Sequence, residues 1–147
     1  MKLRRTGLAS ARTPSGEEVI GTRDALVVPG RTIPWEQVLR ADWDADVDTL
    51  TVMLVDPEVL VYELDEPGLL LQLVRERVMA SIVLTRRVPV TSELGFTVMA
   101  RRPPAGGDVT LTFEYDRDLD PDDSGVQEAA RAALRSVREE LGIGFSS

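Results

Sequence analysis

Thr49-Leu50-Thr51-Val52-Met53-Leu54-Val55 sets Leu50, Val52 and Leu54 against Thr49, Thr51 and Met53, the period-two pattern of a strand with one buried and one wet face. Upstream, Leu39 to Asp44 and the polar link Ala45-Asp46-Val47-Asp48 make this run the second arm of a hairpin. Downstream, Asp56-Pro57-Glu58 turns the chain into a third run, with Leu60, Tyr62 and Leu64 on one side and Val59, Val61 and Glu63 on the other. Connections this short predict an antiparallel meander. Earlier still, Val19-Ile20, then Ala25-Leu26-Val27-Val28 stopped by Pro29-Gly30, then Thr32-Ile33-Pro34-Trp35 read as brief strands joined tightly. Residues 1–16 show little apolar periodicity and carry Arg4, Arg5 and Arg12, which predicts a mobile, mildly basic N-terminal segment.

After the meander the period changes. Leu70, Leu73, Val74, Arg77, Val78, Ser81 and Ile82 recur at helical spacing behind Asp65-Glu66-Pro67, predicting a helix over about 67–83 with Asp65 as its cap. Strands resume over Arg87 to Val90, Gly95 to Arg101 and Val109 to Asp116, with Pro103-Pro104-Ala105-Gly106-Gly107 as a turn or flexible loop between the last two. A closing helix has Val126, Ala129, Ala130, Ala133, Leu134, Val137 and Leu141 on one stripe, a start cap among Asp122, Asp123 and Ser124, and Gly142 as its stop. The expected fold class is α+β: over residues 17–147 a single domain, built as a strongly bent antiparallel sheet or partly open barrel with a middle helix and a C-terminal amphipathic helix.

Composition excludes more functions than it suggests. The 147 residues contain no His and no Cys, which removes Ser-His-Asp and Cys-His catalysis, zinc sites of the usual ligands and thiol redox chemistry. A formal charge of −8 opposes binding to nucleic acid, whose affinity rests on phosphate neutralisation. No apolar run approaches the ~20 residues of a membrane span, and Met1-Lys2-Leu3-Arg4-Arg5 leads into a polar stretch rather than a signal-peptide core. The expectation is a cytoplasmic protein without integral membrane association.

Four groups of residues invite chemistry. Asp42, Asp44, Asp46 and Asp48 stand at every second position and face one way on an extended chain. A calcium loop counted from Asp44, however, meets Thr49 where glycine is required and Val55 where the bidentate glutamate belongs. The aspartates read as a solvated hairpin tip. Asp116, Asp118, Asp120, Asp122 and Asp123 read as a capped loop before the last helix. No metal and no cofactor is expected, and Glu63 with Asp65 is the kind of carboxylate pair that an acid-rich chain contains by chance. Arg86-Arg87 and Arg101-Arg102 lie near one end of two consecutive strands, where guanidinium groups hold a phosphate or anionic head group unless nearby acids claim them first. Adjacent arginines face opposite sides of a strand, so only one of each pair can join such a patch. Trp35 and Trp43, the two tryptophans, are either anchors for a partner's side chain or core residues in a chain short of aromatics.

Gly21-Thr22-Arg23-Asp24-Ala25-Leu26, Gly30-Arg31-Thr32-Ile33-Pro34-Trp35-Glu36-Gln37-Val38, Ala41-Asp42-Trp43-Asp44 and Arg75-Glu76-Arg77-Val78 with Ala80-Ser81-Ile82 resemble segments of small, functionally uncharacterised actinobacterial proteins described as pleckstrin-homology-like. The likeness covers most of residues 17–141. It implies a fold type and a bacterial cytoplasmic setting, and it carries no catalytic residues. The function expected is a non-catalytic module that docks a protein or peptide through a sheet edge or the groove beside a helix, with Trp35 and Trp43 as contacts. The alternative is an anion or lipid-head-group sensor using Arg86, Arg87, Arg101 and Arg102.

Overall fold

The computed structural model describes residues 7–142. Ten strands and two helices follow one another as β1 (Gly7–Arg12), β2 (Glu18–Thr22), β3 (Ala25–Val28), β4 (Arg31–Pro34), β5 (Val38–Asp44), β6 (Thr49–Leu54), β7 (Val59–Glu63), α1 (Gly68–Ala80), β8 (Ile82–Pro89), β9 (Gly95–Arg101), β10 (Thr110–Tyr115) and α2 (Ser124–Leu141). The class is α+β, with three antiparallel sheets and no closed barrel. The chain forms two compact units: the first runs through Ile82 and takes in Arg102–Val109, and the second comprises Val83–Arg101 and the residues from Thr110 onward.

The first unit holds sheet β1-β2-β3-β4, sheet β5-β6-β7 and α1. The alternation of β6 is realised: Leu50, Val52 and Leu54 are buried, while Thr51 and Met53 face across to Val61 and Val59 of β7. Val19, Leu26, Ile33 and Trp35 from the β1–β4 side, Val38, Leu50 and Val52 from the β5–β7 side, and Leu70 and Val74 of α1 share one core. Burial of this kind, at roughly 25 cal/mol per Å² of apolar area, is the main force holding two small sheets and a helix together.

Three local expectations are corrected here. Gly7–Arg12, inside the stretch read as mobile, is a strand paired with β2. Alternating small residues Ala9 and Ala11, the latter buried, let it lie against the core without a long apolar run. The N-cap position of α1 is Pro67, with no side-chain cap. Asp65 instead donates its backbone N–H to the carbonyl of Arg12 in a β-bridge. That helix also ends at Ala80, and Ile82, placed by its spacing on the helical stripe, opens β8. The run Ile82-Val83-Leu84-Thr85 is rich in β-branched residues, which favour a pleated surface once the helix is released.

The second unit holds sheet β10-β9-β8 with α2. Phe96 and Val98 of β9 share a core with Ala130, Ala133 and Val137 of α2. Phe96, Phe113 and Tyr115 form an aromatic cluster with ring centroids 5.4–6.3 Å apart. The ends of α2 follow their sequence signals: Asp123 accepts from Gly125 N–H and Val126 N–H, and Gly142 closes the helix at φ 69°.

Candidate functional site

A groove of about 540 Å³ lies between β5 and α1 in the first unit. Its two walls have different periodicities. One is Leu39, Arg40, Ala41, Asp42 and Trp43, five consecutive residues of β5. Successive strand side chains point to opposite faces, so five consecutive lining residues bring the groove to the strand's outer edge, and Leu50 of β6, opposite Trp43, extends it onto the face of the sheet. That edge is open, since β5 has a strand neighbour, β6, on one side only. The other wall is Leu71, Val74, Arg75, Val78 and Met79, spaced as one helical face.

Trp43 stands opposite Leu50 in the β5–β6 register and is half-buried, packed on the core yet lining the groove. Arg40 reaches Asp42 at 3.3 Å and Met53 Sδ at 3.0 Å. Arg75 is exposed and forms no ion pair among the described residues. Met79, 66 % exposed, borders the opening. The groove thus offers the outer side of an edge strand, an aromatic floor and an apolar helical wall. Among the described residues, no three carboxylates converge on a position that would hold a metal ion, and no helix is long and apolar enough to cross a membrane.

Trp35 has no part in this site. It is 0 % exposed, its indole N–H donates to the Thr22 carbonyl at 2.9 Å, and it offers no surface to a partner. The four arginines divide between the two units, Arg86, Arg87 and Arg101 in the second and Arg102 in the first. Arg86 binds Glu140 and Ser136 of α2, while Arg87 takes both carboxylate oxygens of Asp116, at 2.8 and 2.5 Å. Arg101 is 0 % exposed at the end of β9, and Arg102 is exposed in the first unit, donating its backbone N–H to the Ser81 carbonyl. Arg4 and Arg5 lie outside the described residues. The acids of the chain have claimed Arg86 and Arg87, leaving them little capacity for a phosphate.

No family model, curated protein or solved structure matches this chain. In the second unit, Asp116 accepts from Arg87 and, at 2.8 Å, from the Gly95 backbone N–H. These bonds, the Arg87 one first, lower its pKa from 3.8 to about 2. The folded state holds this carboxyl's proton more weakly than the unfolded chain does, so the stabilisation is complete above pH 3.8 and disappears as pH falls toward about 2. Urea titrations across that window should show the wild type losing stability more steeply than Asp116→Asn, whose amide does not titrate. Parallel curves would place the acid sensitivity elsewhere.

The α1 wall escaped sequence reasoning. Val74 and Val78 lie on the stripe that helical spacing defines, Leu71 borders it and Met79 lies off it, and the signal was the apolar surplus itself: Leu69, Leu70, Leu71, Leu73, Val74, Val78 and Met79 exceed what one buried face needs.

Proposed function

We propose that this chain is a non-catalytic binding module of pleckstrin-homology-like type that takes an extended peptide segment of a partner protein as an added strand on β5, beneath α1. The observation that carries the reading is the run of five consecutive β5 residues along the groove. A peptide laid there completes the open backbone ladder of β5 and sends alternate side chains toward Trp43 and the apolar face of α1, which is strand addition with side-chain pockets. The pleckstrin-homology-like assignment draws support from the first unit, where four strands, three strands and then a helix follow in order around one core.

Peptides selected from a random phage-displayed library on the full chain test this. Their binding should shift the fluorescence of Trp43 and slow amide exchange along residues 39–43. Trp43→Ala should weaken binding roughly thirtyfold, as loss of a central aromatic anchor worth about 2 kcal/mol does. Met79→Glu, at an exposed position that folding does not depend on, should weaken it as well. Selected peptides that bind both variants at wild-type affinity, or protect amides elsewhere, would overturn the assignment.

A further inference from the structure

We infer that the segment taken up by this groove is basic at the end that lies over the β5–β6 turn, an inference that rests on strand addition at β5. The strand runs from Val38 to Asp44 directly into the turn Ala45-Asp46-Val47-Asp48, so the open edge ends among carboxylates. Asp44, Asp46 and Asp48 are exposed and form no ion pair among the described residues. Glu63 on β7 adds to the acidic character of this end of the sheet from two strands away, since Asp44 lies opposite Thr49 and Thr49 opposite Glu63. No arginine or lysine lies between residues 41 and 74, so the chain supplies no cation from these strands or the start of α1. At the start of the strand the balance reverses, where Arg40 holds Asp42.

The groove is therefore polarised along its length, and charge complementarity orients its occupant: apolar side chains at alternate positions beneath α1, then lysine or arginine over the turn. An acidic segment in that place would add its charge to the three uncompensated carboxylates of Asp44, Asp46 and Asp48.

The experiment is a random dodecapeptide phage library panned on the full wild-type chain and on the variant Asp44→Asn/Asp46→Asn/Asp48→Asn. Asparagine preserves the side-chain acceptor with which Asp44 holds the Asp46 N–H, 2.9 Å away, and tolerates the left-handed φ of 52° at position 48. The turn survives and only charge is removed. Wild-type pools should be enriched in Lys and Arg at one end. Resynthesised peptides should bind the variant roughly tenfold more weakly, and raising salt from about 0.05 to about 0.5 M should weaken wild-type binding by a similar factor. Peptides that need Trp43 yet show no basic end, or bind the triple variant equally well, would overturn the charge assignment and leave strand addition standing. Pools in which no peptide needs Trp43 would overturn both.

Discussion

Replacing Trp35 with alanine is expected to lower the stability of the first unit by about 3–5 kcal/mol, the range for deleting a fully buried large aromatic side chain. Trp35 touches no solvent, belongs to the core that both sheets and α1 share, and anchors its ring by donating to the Thr22 carbonyl. Thr22 is itself fixed: its hydroxyl donates to the Ala25 carbonyl and accepts from the Ala25 N–H, both at 3.0 Å. The alanine variant leaves a cavity where two sheets meet and a carbonyl without its donor. Domains of this size have only about 5–15 kcal/mol in total, so urea unfolding should show a midpoint displaced by a large fraction of its wild-type value. Trp35→Phe keeps most of the volume and loses the hydrogen bond, and should cost about 1–2 kcal/mol. If the alanine variant unfolded at the wild-type midpoint, Trp35 would not be the core residue described above. The same pair of proteins separates the tryptophans, because in Trp35→Phe all remaining indole emission comes from Trp43 in the groove.

Gly95→Ala should destabilise the second unit by about 3 kcal/mol, the upper part of the usual range for overpacking. A Cβ at position 95 would lie 2.2 Å from the Val88 carbonyl oxygen and 3.0 Å from the Pro89 Cα. These are backbone atoms, so no rotamer change relieves the clash and the two strand ends must separate. Separation also pulls the Gly95 N–H from Asp116, whose other bonds hold Arg87 on β8. The substitution should therefore reduce, while leaving the larger Arg87 contribution, the acid response between about pH 4 and pH 2 as well as lower the midpoint. Circular dichroism against urea at neutral and acid pH measures both, and an unchanged pH response would mean that the Asp116 bonds survive without the close approach. Gly21 offers a contrast. There an added methyl meets side chains rather than backbone, Leu73 at 2.5 Å and Leu70 at 3.2 Å, and a side chain can move.

What could be read from the sequence was local. The alternation of β6 and the stripe of α2 with Asp123 and Gly142 at its ends appear where periodicity and end signals placed them, because period, cap and stop are properties of a few neighbouring residues. The fates of Trp35 and Trp43 were not legible. Both follow short apolar runs beside acidic residues, and what separates them is that one points into a core shared by distant segments while the other lies on an open edge. The arginines failed for the same reason: Arg86 finds its partner 54 residues away and Arg87 29 residues away, and no spacing rule reaches that far. The groove depends on which sheet edge α1 comes to lie beside, a choice made by packing rather than by helical period.

The route of the chain between its two units has a practical consequence for anyone who would dissect it. The polypeptide passes out of the first unit after Ile82, returns to it for Arg102–Val109 and departs again, so the units are interleaved rather than strung in tandem. Cutting after Ile82 would strip the first unit of one of its segments, and starting at Val83 would leave foreign residues inside the second. Neither half is a gene fragment, and a protease acting on the Pro103–Gly107 loop would nick both at once.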